Sequence, residues 1–202
     1  MKVTVIDYGL GNLASVYNAL TFLGVDAKVS ALPQDIDKAD KLVLPGVGAF
    51  GNAMAGLHKR GLIEPIKNFL TSGKAYLGIC LGLQLLFEQS EEGGVKGLGI
   101  FKGEVKRFQA ASGIKVPHIG WNTVKLKADS SKLTADIKDG SYFYFDHSYY
   151  ASPEDTGAIA ANTEYGINFA SMIRRDNVYA VQFHPERSQK LGLKFLENFI
   201  KL

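Results

Sequence analysis

Short apolar runs alternate with helical periodicities through the first half of the chain. Lys2–Asp7 carries Val3, Val5 and Ile6 and reads as a strand. In Asn12–Leu23 the apolar residues Leu13, Val16, Leu20 and Leu23 recur at helical spacing, and Gly24 stops the run. Ala27–Ser30 and Leu42–Leu44 read as further strands, and Leu62–Leu70 as an amphipathic helix with Gly73 beyond its end. Ala75–Ile79 is a short apolar strand, and Leu81–Glu88 has a helical pattern. This β-α-β-α order predicts a parallel sheet with crossover helices. The second half differs. Phe101–Phe108, Gly120–Leu126, Ser141–Phe145, Gly157–Asn162 and Val178–Phe183 are strand-like, with turn residues between them. Ser188–Leu202 closes the chain as a helix with Leu191, Phe195, Leu196 and Phe199 on its inner side. The expected fold is α/β: a central, mostly parallel sheet with flanking helices, extended by antiparallel strands. A single domain over residues 1–202 is the economical organisation, and no linker, repeat or low-complexity segment interrupts it.

Composition narrows the function classes. With 202 residues, 46% apolar and 21% charged, the chain has ordinary globular content and ample material for a core. The net charge of +3 comes from scattered Lys and Arg, so neither a nucleic-acid footprint nor a polybasic membrane patch is expected. Apolar runs are too short for a membrane span, and the N-terminal residues lack a signal-peptide pattern. One cysteine permits no internal disulfide and no multi-cysteine metal site, and a reducing cytoplasm suits it.

That cysteine carries the chemistry. In Ala75-Tyr-Leu-Gly-Ile-Cys80-Leu-Gly-Leu-Gln84 a strand runs through Gly78-x-Cys80-x-Gly82 directly into a helix. This is the strand-turn-helix layout of a nucleophile elbow, with Cys in place of Ser. The turn is so tight that side chains two before and two after the nucleophile would collide, hence the glycines. A helix N-terminus at Cys80 favours the thiolate, and the N–H of Leu81 would face a substrate oxygen as half of an oxyanion hole. The elbow by itself leaves a buried core cysteine and a nucleophile as even readings. Partners decide. Val178-Tyr-Ala-Val-Gln-Phe-His184-Pro-Glu186 ends a strand with a histidine and a carboxylate two apart, on one face. His184 as base and Glu186 as its orienter complete the nucleophile–base–orienter set.

Gly78-Ile-Cys80-Leu-Gly82 with His184-Pro-Glu186 downstream resembles the class I, triad-type glutamine amidotransferases over essentially the whole chain. Four further segments resemble one branch of that family, the glutaminase subunits of imidazole glycerol phosphate synthase. They are Asp7-Tyr-Gly-Leu-Gly-Asn12-Leu, Leu44-Pro-Gly-Val-Gly-Ala-Phe50, Pro117-His118-Ile-Gly-Trp121-Asn122 and His147-Ser148-Tyr149-Tyr150. The resemblance implies that the Pro45–Gly48 loop, through Val47 and Gly48, supplies the other half of the oxyanion hole after a peptide flip near Val47. It assigns Gly46, Gln84, Glu92, Ser148 and Tyr149 to glutamine, with Glu92 on the ammonium and Ser148–Tyr149 on the carboxylate. It places Asn12, His118, Trp121 and Tyr144 at the face toward a partner. Read from the residues alone, Glu92 also suits a solvated helix end, and Trp121 a core or edge aromatic. Asp146, Leu83 and Arg187 depart from the residues usual at their positions, and none belongs to the triad.

The implied reaction is hydrolysis of L-glutamine through a Cys80 thioester. The ammonia passes to a (β/α)₈-barrel cyclase subunit held as a heterodimer, in histidine biosynthesis. No metal or organic cofactor is implied. Gly9-Leu-Gly11-Asn-Leu-Ala14 fits a dinucleotide fingerprint, but the second strand lacks the terminal acid that would hold the ribose. The alternatives are the amidotransferase component of another biosynthetic pathway, or a non-catalytic regulatory subunit.

Overall fold

The computed structural model describes residues 1–110, 114–127 and 132–202. The parallel part of the main sheet comprises β1 (Lys2–Ile6), β2 (Asp26–Ser30), β3 (Lys41–Gly46) and β4 (Tyr76–Cys80). The helices between these strands are α1 (Leu13–Phe22), α2 (Pro33–Asp37), α3 (Phe50–Lys59) and α4 (Ile63–Thr71). After the elbow come the single turn α5 (Leu81–Gln84), then β5 (Phe87–Ser90), β6 (Val95–Lys96) and β7 (Phe101–Arg107). The remainder is β8 (His118–Leu126), β9 (Ser141–His147), β10 (Tyr149–Pro153), β11 (Ile159–Tyr165), β12 (Ile167–Arg175), β13 (Val178–Val181) and α6 (Gln189–Ile200).

The nine-stranded sheet has the order β2-β1-β3-β4-β13-β12-β11-β8-β9. It is parallel from β2 to β13 and antiparallel beyond. β3 and β4 are buried along their whole length, as expected for parallel strands with both faces covered. Alternation distributes their side chains between two cores. Leu42, Leu44 and Tyr76 meet Phe50, Leu57, Ile66 and Phe69 of α3 and α4. Val43, Leu77 and Ile79 meet Val16 and Leu20 of α1 and Phe195, Leu196 and Phe199 of α6.

Two expectations are corrected. The helix expected over Leu81–Glu88 ends at Gln84, and the chain turns into β5. Leu85, Leu86 and Phe87 are buried as a helical stripe would be, but Phe87–Ser90 pairs with β7 and β6, satisfying its backbone through remote partners. The segment expected as Phe101–Phe108 does not extend the main sheet. It forms β7 of a separate four-stranded sheet, β10-β7-β5-β6, packed against the α3–α4 core. α2, α3, β6, β10 and β12 have no counterpart in the sequence reading.

The topology matters at one point. β13 lies parallel beside β4, with Val181 opposite Ile79. The C-terminal ends of these neighbours open at the same edge, where parallel α/β sheets place their ligand sites.

Candidate active site

Cys80 is the last residue of β4 and only 4% exposed, with φ 53° and ψ −106°. A non-glycine residue in this region is strained by roughly 1–3 kcal/mol. The strain aims the side chain out of the sheet edge, and the two glycines permit it. A Cβ on Gly82 would lie 1.8 Å from the Leu44 carbonyl oxygen, and one on Gly78 would lie 2.6 Å from that of Gly82. Because α5 is one turn long, its free N–H groups, not a long helix dipole, are what favour an anion here.

His184 follows β13 and reaches the same edge. Its Nδ1 is 2.8 Å from Glu186 Oε1, with the two side chains 2% and 1% exposed. Its backbone is pinned as well: His184 N donates to the Tyr144 carbonyl at 2.8 Å, and Ser188 Oγ donates to the His184 carbonyl at 2.6 Å. Burial alone would drive the proton off this imidazole. The negative charge of a Cys80 thiolate and the Glu186 carboxylate outweigh burial and raise the pKa from 6.5 to about 10. Among the described residues Nε2 is buried with no hydrogen-bond partner of ordinary geometry, so its N–H is available to a reacting group. The thiol points toward the Asp146 carbonyl at 3.8 Å and receives Gln182 Nε2 at 3.5 Å.

A cleft of about 380 Å³ opens over Cys80, within the usual range for small ligands. Its walls include Val47, Gly48, Leu81, Gln84, Glu92, Ser148 and Tyr149. The structure thus brings together most residues assigned to the oxyanion hole and to glutamine. Gly46, at the end of β3, lies beside Cys80 in register on the neighbouring strand. The Gln84 amide is engaged with protein: Nε2 donates to the Tyr149 carbonyl at 2.9 Å and to Gln182 Oε1 at 3.2 Å. Glu92 is not at a helix end. It follows β5, and Oε2 accepts Phe50 N–H at 2.7 Å, capping an α3 that lacks a side-chain N-cap of its own.

The four residues assigned to the partner face do not share one environment. Trp121 is 46% exposed and stands edge-on to Tyr144 across the β8–β9 pair. Asn12 caps α1, its Oδ1 accepting from Ser15 N. His118 turns inward from the β8–β9 surface that carries Trp121. Its ring is 3% exposed and stacks between Phe145 and Tyr165 at centroid distances of 4.8 and 4.0 Å. The inward register follows from β8 alternation, which points Ile119 and Trp121 outward and His118 inward.

Buried His118 begins a chain of hydrogen bonds whose direction is fixed from its far end. His147 Nδ1 lies 2.7 Å from the Tyr149 carbonyl and must donate to it. His147 Nε2 therefore accepts, at 3.0 Å, from His118 Nδ1. His118 Nε2 then accepts from Asn122 Nδ2 at 3.2 Å. Burial holds both rings neutral, lowering His118 to about 4 and His147 to about 3. Sequence reasoning missed Gln182, although it lies two before His184, in the same alternation that aligned His184 with Glu186. The Gly9/Gly11 loop is packed by protein groups. A Cβ on Gly9 would meet the Arg60 guanidinium at 3.0 Å, and Gly11 packs on the Pro45 carbonyl.

The comparisons agree with this geometry. The family described as glutamine amidotransferase class-I matches residues 4–202. Imidazole glycerol phosphate synthase subunit HisH of Aquifex aeolicus is 52% identical over 98% of this chain and 96% of its own. The HisH subunit of Moorella thermoacetica is 50% identical over 99% and 94%, and that of Rhodopirellula baltica 46% over 98% and 96%. Among solved structures, PurLQS from Thermotoga maritima superposes with a TM-score of 0.77 at 20% identity, covering 99% of this chain and 97% of its own, a likeness of fold alone. With the family matched over nearly its full length and relatives of this identity across it, the chain belongs to the class-I glutamine amidotransferases, in their HisH branch.

Proposed function

We propose that the chain is the glutaminase subunit of an imidazole glycerol phosphate synthase. The observation that carries the chemistry is a nucleophile on a strained elbow beside a buried, charge-paired imidazole on the adjoining strand end. Glutamine enters the cleft with its ammonium at Glu92 and its carboxylate at Ser148–Tyr149. Cys80 Sγ bonds to the side-chain carbonyl carbon, and the N–H groups of Leu81 and of the Val47–Gly48 loop hold the oxyanion. His184 Nε2–H passes its proton to the nitrogen, the C–N bond breaks and ammonia leaves, with a γ-glutamyl thioester remaining. Neutral His184 next takes a proton from water as the water attacks. The S–C bond breaks, glutamate departs, and thiolate and imidazolium are restored. Glu186 holds the ring and its charge throughout.

Ammonia released into neutral water becomes ammonium, which is not a nucleophile. The product therefore needs an enclosed route to its acceptor. In this reading the partner is the (β/α)₈-barrel cyclase, in a cytoplasmic heterodimer. An exposed aromatic face on β8–β9 supports docking there: Ile119 and Tyr142 are each 58% exposed, beside Trp121. That face adjoins the triad, since β9 lends the Tyr144 carbonyl to His184 N and the Asp146 carbonyl to Cys80. Among the described residues no helix is long and apolar enough to cross a membrane. The test is glutamate release by the full chain with and without the cyclase and an acceptor analogue. Strong stimulation by the cyclase is expected. No response rejects the partner assignment, and activity surviving Cys80→Ala rejects the chemistry.

A further inference from the structure

Tyr8 is 1% exposed, and its hydroxyl has no hydrogen-bond partner among the described residues. The residue is otherwise firmly held. Its carbonyl accepts Arg60 Nη1 at 2.7 Å, and α3 approaches so closely that a Cβ on Gly56 would lie 2.4 Å from that carbonyl oxygen. A fixed ring thus presents a lone hydroxyl at a defined place. That place is the underside of the oxyanion hole: a Cβ on Gly46 would lie 2.3 Å from Tyr8 Oη and 2.8 Å from Leu81 Cβ. The hydroxyl occupies the space that Gly46 leaves vacant, between the end of β3 and the residue after the nucleophile.

A buried hydroxyl without a partner has given up its water for nothing in return, and such a group calls for a reason. The peptide joining Gly46 to Val47 supplies one. A trans peptide is planar, with its N–H and C=O pointing in opposite directions. When Val47 N–H faces the substrate oxygen, the Gly46 carbonyl must face away from it, toward the protein interior. We infer that the Tyr8 hydroxyl is the donor for the Gly46 carbonyl in the working state, holding the Gly46–Val47 peptide with its N–H in the oxyanion hole. Tyr8 is a positioning residue: it touches no substrate and acts through a backbone carbonyl. The negative charge of a Cys80 thiolate also reaches it, reinforcing what burial does in keeping the phenol protonated and a donor. The inference rests on the glutaminase reading and deepens it.

Tyr8→Phe tests it, because it removes only an oxygen that makes no bond in this structure. Glutamine hydrolysis is measured on the full chain with its cyclase partner, together with the thermal midpoint and the rate at which iodoacetamide alkylates Cys80. The expected result is a fall in kcat of about tenfold, equivalent to about 1.4 kcal/mol, with KM within twofold. The thermal midpoint stays equal or rises, and alkylation keeps its rate. A kcat within twofold of wild type overturns the inference. So does a fall in kcat accompanied by a lower midpoint or slower alkylation, since that marks a structural role or an effect on the thiol. Cys80→Ala runs alongside: activity surviving that change sinks the glutaminase reading itself, whatever Tyr8→Phe does.

Discussion

His184 and the His118–His147 pair lie close together, and their rings are buried to a similar extent, at 2%, 3% and 6% exposure. They hold protons in opposite ways. His118 and His147 face neutral partners, an amide, a carbonyl and each other, and fall to about 4 and about 3. His184 faces a carboxylate and a thiolate and rises to about 10. Burial pushes in the same direction in each case. The sign of the outcome is set by whether an anion shares the cavity. One part of the molecule thus holds a proton to give away, and the other is a fixed scaffold of directed hydrogen bonds that supports Tyr149.

Removing the anions should collapse that difference. Cys80→Ala is expected to lower glutamine turnover by roughly 10⁴-fold or more, and to move the His184 imidazole resonance, followed by NMR titration, to a lower pKa. An unchanged His184 titration would show that the thiolate is not what holds its proton. Glu186→Gln retains a hydrogen-bonding side chain but removes the charge. Turnover should fall by roughly 10²–10⁴-fold, with His184 again shifted downward and the unfolding transition still cooperative.

Stability against pH separates the two sites from opposite sides. His118 and His147 are depressed, so their contribution is complete above pH 6.5 and is lost as pH falls through about 4 and about 3. The unfolded chain takes up protons there that the folded chain refuses, at up to about 1.4 kcal/mol per pH unit for each ring. His184 is raised, so its contribution is complete below pH 6.5 and is lost as pH rises through about 10. Urea unfolding across roughly pH 4.5–9.5, about two and a half units either side of neutrality, should show both flanks. His118→Phe fits the aromatic stack but strands His147 Nε2, at a cost of about 1–3 kcal/mol. It should also flatten the acid flank by one proton.

The smallest effect belongs to the next residue along. Arg187 pairs with Asp146 at 3.3 Å, with the two side chains 40% and 39% exposed. Arg187→Ala should cost about 0.2–1 kcal/mol in unfolding free energy, against the large loss expected at Glu186 one position earlier. A larger cost would mean that the stacking of Arg187 over Tyr144, at 4.1 Å, carries the energy instead.

The elbow was legible because everything that defines it is local: an apolar strand, two glycines at fixed offsets, and a helix start. His184 and Glu186 were legible for the same reason, by strand alternation. β5 was not, since Leu85, Leu86 and Phe87 carry a helical stripe and only pairing with β6 and β7 overrides it. α3 escaped notice because Gly51 and Gly56 lower its propensity and its cap comes from Glu92, far along the chain. The inward ring of His118 and the donor at Gln182 depend on which face of a strand is covered. A motif match does not state that, though alternation can.

β13 enters the main sheet between β4 and β12, and it is the last strand of the chain. Synthesis therefore delivers Cys80 long before it delivers His184. Until the final strand slots in beside β4, the nascent chain carries a thiol without its base, although the residues assigned to the oxyanion hole, on β3, β4 and α5, have already been made. Hydrolytic competence therefore needs the last strand as well as the elbow. A ribosome product that stops short of Val178 is expected to release no ammonia at all, however well its first half has folded.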